Sequence, residues 1–280
     1  MNVRIIVDST SDLTEKTKQR LTIVPLTLRF GDEEYIDGVT INHKQFYEKL
    51  IESDVLPTTS QATPGAFADV FETVKENNES AVVITISSKL SGTYQSAVIA
   101  AADYENIYVV DSRSAAIGTA ILAELALKLK DDGLEAKDIA NKITEERSNV
   151  RVVALLDTLE YLKRGGRISK TVAFAGGLLS IKPVVSLEEG EINMLGKARG
   201  SKQGNNLLVT EIKKCGGVDF SKPLLLGYTG LSDVLLLKYI EDSKSIWENG
   251  TDNLRYTPIG SVIGTHAGPG AIAVAFFKQT

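Results

Sequence analysis

The stretch that decides the fold is Ala81–Ala101, AVVITISSKLSGTYQSAVIAA. It opens with an apolar, largely β-branched run, the pattern of a buried strand. It closes with Tyr94, Val98 and Ala101 at helical spacing. Between them lies Ser87-Ser88-Lys89-Leu90-Ser91-Gly92-Thr93, a hydroxyl-rich turn where a strand hands over to a helix. Such a junction points backbone N–H groups and the positive end of a helix dipole at one spot. The turn therefore reads either as ordinary N-capping by Ser and Thr or as a seat for an anion.

The same grammar recurs on both sides. Val3–Val7 reads as a strand running into Asp8-Ser9-Thr10-Ser11-Asp12 and a helix over 13–21. Tyr104–Val110 reads as a strand running into the polar turn 111–118 and a helix to about Lys130. Three strand–turn–helix units predict a parallel sheet with right-handed crossovers. The turns at Asp8, Ser87 and Asp111 should then gather at the carboxyl edge, where such sheets bind ligands. Between these units, Thr22–Phe30 reads as one strand bulged at Pro25, 31–37 as a hairpin excursion and 42–53 as a helix. Pro57 and Pro64 hold the segment 56–65 extended, with helix following to about Asn77.

The second half changes character. Arg151–Leu156 reads as a strand and Asp157–Lys163 as a short helix, and 181–195 forms a hairpin turning at Glu189-Gly190. Helices over 202–214 and 232–248 alternate with strands at 223–228 and 255–259, and an apolar strand follows GTHAGPG. The expected class is α/β in two parts: an N-terminal parallel-sheet domain over 1–150 and a C-terminal α+β domain over 151–280. No low-complexity linker marks the boundary, so the two parts are expected to pack closely, with room for segments to be exchanged between them.

Composition narrows the function. The 280 residues carry a net charge of -5 and show no basic block with interleaved aromatics, which argues against a nucleic-acid partner. No apolar run approaches the ~18 residues of a membrane span. The start, MNVRIIVDST, lacks a signal peptide's apolar core. One cysteine, Cys215, excludes an internal disulfide and fits a reducing cytoplasm. With two histidines, His43 and His266, a structural zinc site would have to rest on carboxylates, so no metal is expected.

Two look-alike motifs carry no chemistry, and a third constellation lacks its usual elbow. Gly190–Ala198 imitates a phosphate loop but has one residue too many between its glycines and sits in a hairpin. Gly268-Pro-Gly270-Ala-Ile-Ala273 matches the dinucleotide fingerprint by letters alone, with no room after it for a βαβ unit. A Ser–His–Asp hydrolase has candidates in Ser91 and His266 but no Gly-x-Ser-x-Gly elbow. Arg164 and Arg167 read as the charged end of a helix, and His43 as solvated.

Taken in order, the polar stretches resemble one family. VDSTSDL at 7–13, Asp37-Gly38, TTSQATPG at 58–65, SSKLSGTYQSA at 87–97 and VDSRSAAIGT at 110–119 make up the first half. LDTLEYLKRGGRIS at 156–169, IKPVV at 181–185, KARG at 197–200 and GTHAGPGA at 264–271 complete it. The chain resembles the DegV family over essentially its whole length, including the fatty-acid-binding subunits of bacterial fatty acid kinase.

The resemblance implies a long-chain fatty acid buried between two α/β domains, its carboxylate held by Thr59, Ser91 and His266. Ser60, Gly92 and Arg199 are implied as further carboxylate ligands, and Arg167 as facing a partner. It also implies a cytoplasmic protein with no cofactor, not catalytic alone. Such a carrier presents the acid to a separate ATP-binding kinase subunit, which makes an acyl phosphate for phospholipid metabolism. The family usually has Pro after TSQ, where this chain has Ala62. The alternative reading is a stand-alone esterase or acyltransferase using Ser91 and His266.

Overall fold

The computed structural model describes residues 2–168, 181–248, 250–251 and 254–279. Ser169, the last residue of the LDTLEYLKRGGRIS motif, lies outside them. The N-terminal strands β1 (Val3–Asp8), β2 (Thr22–Val24), β6 (Ser80–Thr85) and β7 (Ile107–Asp111) form a parallel sheet in the order β2-β1-β6-β7. β6 is buried at every position, as its unbroken apolar run requires in a sheet covered on both faces. The helices α1 (Glu15–Lys18), α4 (Thr93–Ala100) and α5 (Ile117–Asp131) follow β1 and its neighbours as predicted, although α1 is a single turn.

The expected strand over 22–30 divides at Pro25-Leu26. Its first part is β2, and its second is β3 (Thr27–Phe30), which pairs antiparallel with β4 (Glu33–Ile36) and β5 (Thr58–Ser60) in a small separate sheet. Proline cannot donate to a ladder, so the chain uses it to change sheets. The register Leu28↔Thr59 fixes Thr59 on a strand instead of a loose loop. Helix α2 (His43–Glu52), started by a full capping box between Asn42 and Gln45, covers this sheet with Phe46, Tyr47 and Leu50. Helix α3 (Pro64–Glu76) follows with proline in its first turn and Thr63 as N-cap.

Beyond α6 (Ala136–Glu146), six strands make the second sheet. These are β8 (Val150–Leu155), β9 (Ile181–Glu188), β10 (Glu191–Arg199), β11 (Leu225–Tyr228), β12 (Tyr256–Pro258) and β13 (Ile272–Phe277), in the order β10-β9-β8-β13-β11-β12. All neighbours are antiparallel except β11 and β12. One face, with Val153, Val184 and Val274, packs on α8 (Gly200–Lys214) and α9 (Val234–Asp242). The expected helix over 232–248 breaks at Ser243, and its remainder is the single turn α10 (Lys244–Trp247).

The other face of that sheet meets α5, which also packs on β1 and β6 of the parallel sheet. Ten of its residues are buried, from Ile117 to Leu127. A helix apolar all round can only be a core element, and α5 joins both halves of the molecule. Two further helices were less legible: α7 (Glu160–Arg164) is shorter than expected, and α11 (Ser261–Ala267) lies where the sequence suggested only a glycine-rich approach to the last strand.

Candidate functional site

A cavity of about 1040 Å³, mouth included, opens between the α5 side of the six-stranded sheet and the small sheet with α11. Its apolar wall follows from strand periodicity. The pairs Val152↔Leu187, Ala154↔Val185 and Ala273↔Ala154 put these side chains on one face, while Val153, Val184 and Val274 turn to the other. Val262, Ile263 and Ala267 of α11 form the opposite wall.

The polar groups collect separately. Thr59, Ser60, Gln61, Ser91, Arg167 and His266 all line the cavity. Thr59 Oγ1 and His266 Nε2 are 3.0 Å apart. Ser91 Oγ lies 2.9 Å from Thr93 Oγ1, and Thr93 Oγ1 also accepts from the Ala62 N–H at 3.3 Å. The last bond is one that proline at position 62 could not make. Arg167, expected to face a partner, lines the cavity: its Nε donates to Leu90 O at 3.2 Å and its Nη1 to Gly165 O at 2.5 Å.

The predicted anion seat at 87–93 works differently from a bare N–H cradle. Ser87 N donates to Ser114 O, Ser88 N to Asp111 Oδ1, Lys89 N to Ser87 Oγ, and Leu90 N and Ser91 N to Ser87 O. Thr93 N donates to Ser91 Oγ at 3.3 Å. These donors are already engaged, by the turn itself or by Asp111 and Ser114. The turns at Asp8, Ser87 and Asp111 do converge: Asp8 Oδ2 accepts from Ile86 N at 2.7 Å, and Ser88 Oγ donates to Asp111 Oδ2 at 2.6 Å.

Two sequence candidates stand off the cavity lining. Gly92 lies against the Gln61 side chain so closely that any Cβ would overlap it. Its absent side chain gives Gln61 room to reach Ser96 Oγ at 2.9 Å. Arg199 is exposed at the end of β10, where its N–H donates to Gln203 Oε1. Gln61, part of the TSQ motif, was overlooked by sequence reasoning; its place in that motif was the available signal.

His266 is the most perturbed group here. Burial, and secondarily the charge of Arg167, push its pKa down to about 4, so its imidazole is neutral near pH 7. No carboxylate of the protein contributes to this shift. Nδ1 is buried without a partner and faces Gly165. With the proton on Nε2, the ring donates to Thr59 Oγ1 and leaves that hydroxyl free to donate to a ligand. A hydrolase would need Ser91 bonded to this ring and an acceptor orienting the ring's other nitrogen; the described contacts supply neither. His43, expected to be solvated, is half-buried with an unpartnered Nε2, beside Tyr47 and Tyr228.

Ala116 also lines the cavity, in an unusual conformation at φ 53°, ψ -135°. A residue with a Cβ is strained there by roughly 1–3 kcal/mol.

A family profile described as uncharacterised protein, DegV family, matches residues 2–279. The chain belongs to the DegV family. A DegV domain-containing protein of Caldanaerobacter subterraneus subsp. tengcongensis is 34% identical over 283 residues, covering 99% of each chain. Among solved DegV structures, a fatty-acid-binding DegV protein from Thermus thermophilus superposes with a TM-score of 0.89 at 29% identity, covering all of both chains. A stearic-acid-binding protein from Eubacterium ventriosum gives 0.87 at 28% identity, over 99% of this chain and 98% of the other. DegV from Bacillus subtilis, also called a fatty acid binding protein, gives 0.83 at 27% identity, covering both chains fully. The two-part α/β architecture is thus that of DegV structures. Among the described residues no helix is long and apolar enough to cross a membrane.

Proposed function

We propose that this DegV protein is a non-catalytic carrier of a long-chain fatty acid. The acyl chain lies along the apolar wall, and the carboxylate meets Thr59, Ser91 and His266, with Ser60 beside them. The observation that carries this reading is a mostly apolar cavity on whose lining Thr59 and His266 meet at 3.0 Å, together with Ser60, Ser91 and Arg167. Fatty acid binding by the Thermus, Eubacterium and Bacillus relatives supports it.

The energetics divide accordingly. Each buried methylene contributes about 0.8 kcal/mol, so a long chain gains roughly 10 kcal/mol before ordering costs. The tail sets affinity and the polar cluster sets orientation. Neutral donors hold the carboxylate without transferring a full proton to it, which keeps an oxygen nucleophilic. We extend the proposal to a separate ATP-dependent kinase subunit in the cytoplasm that phosphorylates the presented carboxylate; the family resemblance supports this step. Arg167 then serves the cavity's polar end and, through it, the face shown to that subunit.

Native mass spectrometry of the purified protein, with extraction of anything bound, tests the carrier. A fatty acid in near one-to-one ratio is the expected result. A protein that emerges empty and takes up neither palmitate nor oleate is not a fatty acid carrier. Incubation with ATP and a DegV-associated kinase subunit should then consume the bound acid, and the protein alone should not.

A further inference from the structure

Helix α11 carries His266 but has no side-chain cap of its own, because its N-cap is Gly260. Two carboxylates from other turns hold its start. Asp12 Oδ1 accepts from the Gly260 N–H at 2.6 Å, and Asp37 Oδ1 stands beside the same residue, 3.9 Å from where a Cβ on Gly260 would lie, with its carboxyl interacting with Ser261. Each is only 6% exposed. Two neighbouring carboxylates are expensive to bury, and a local Ser or Asp would cap a helix at far smaller cost. What the distant clamp adds is a fixed position relative to β1, whose strand-end turn carries Asp12, and to the small sheet, whose β4 leads into Asp37.

The far end of the same helix is the ligand site. From Gly260 to His266 is under two turns, and α11 is gripped along its length. Tyr47 Oη donates to Ile259 O at 3.2 Å, just before the helix, and Phe46 and Tyr47 close on Gly264. A displacement at residues 260–261 is therefore delivered to the ring that meets Thr59.

We propose that Asp12 and Asp37 are positioning residues of the carboxylate site, fixing the start of α11 and so setting where His266 presents its ring to Thr59 and to the acid. This rests on the fatty-acid reading above. A structural cap alone would stabilise the protein without favouring His266; a positioning role acts on the ligand through that ring. Asp12 Oδ2 is buried with no partner, so the carboxyl makes its one bond to the helix start.

The test is a double-mutant cycle on palmitate affinity. Asp12→Ala should weaken binding about tenfold when His266 is present and less than about twofold in a His266→Ala background. Equal losses in the two backgrounds overturn the proposal. Should Asp12→Ala fail to fold, Ser261→Ala removes one Asp37 contact, and its smaller loss must likewise vanish without His266. The ¹⁵N signal of His266 Nε2 in the ligand-free protein gives a separate readout. It should shift in Ser261→Ala, and an unmoved signal rejects the proposal whether or not palmitate binds. A wild-type protein that ignores palmitate while that signal moves would instead sink the carrier reading alone.

Discussion

Thr59 and His266, 207 positions apart in sequence, meet at 3.0 Å. One stands on the middle strand position of a three-residue β5, the other near the end of α11. Their bond joins the N-terminal small sheet to the C-terminal half at the polar end of the cavity.

Removing the hydroxyls should cost affinity and leave the fold intact. Thr59→Ala and Ser91→Ala are each expected to weaken fatty acid binding by about 1–2 kcal/mol, since each deletes a donor to a charged group. Calorimetric titration with palmitate measures this. Unchanged affinity in the double variant would remove these hydroxyls from the site.

The tail wall predicts a size limit. Ala273 sits on β13 facing Ala154, and Ala273→Leu projects extra volume into the cavity. Each methylene thereby excluded costs about 0.8 kcal/mol. The variant should lose affinity for stearate more than for laurate, in competition measurements. Equal losses for both acids would place the tail elsewhere.

Acidity acts on stability in two opposed ways. The His266 pKa is pushed down to about 4 and that of Asp37 up to about 6, each chiefly by burial. A base with a depressed folded pKa contributes stability that is present above its unfolded pKa and lost as pH falls through the folded one. An acid with a raised folded pKa contributes stability present below its unfolded pKa and lost as pH rises through the folded one. Relative to the wild type, His266→Gln should gain as pH drops from about 6.5 to 4, and Asp37→Asn should gain as pH climbs from about 4 to 6. Urea unfolding across this range reads both slopes, and parallel curves would contradict them.

Backbone strain at Ala116 should be recoverable. Glycine adopts its φ of 53° without penalty, so Ala116→Gly is expected to stabilise the protein by about 1 kcal/mol. Thermal unfolding checks it, and a lowered midpoint refutes it.

Close packing at Gly264 predicts coupling. A methyl there would overlap the Tyr47 hydroxyl, so Gly264→Ala should destabilise by about 1–3 kcal/mol. In a Tyr47→Phe background the added cost should shrink. Strictly additive losses would mean the two do not touch.

The parallel sheet and its polar turns were legible because Val82–Ile86 and its counterparts are local signals: apolar runs closed by Ser, Thr and Asp. Thr59, Ser91 and His266 were reached through family motifs, not physics. Pro25 looked like a bulge because nothing local says that the chain changes sheets there. Helix α11 was invisible since Gly264 and Gly268 weaken any helical reading; Tyr47 and Phe46, packed over Gly264, make it a helix. Asp12 and Asp37 looked like turn residues, and only the tertiary structure shows them buried against Gly260 and Ser261. The neutral state of His266 likewise depends on neighbours from remote segments.

The place of β13 in the six-stranded sheet bears on how the protein is made. It lies between β8 and β11, with Phe277 paired to Val150, so a strand near the sheet's centre follows all of its sheet neighbours in sequence. Until it is made, β8 and β11 lack their shared neighbour, and the apolar flank of α5 has no full cover. High contact order of this kind slows folding and prolongs exposure of sticky surface. A nascent chain stalled before residue 272 would be a natural client for chaperones or proteases, because the centre of its second sheet is still missing.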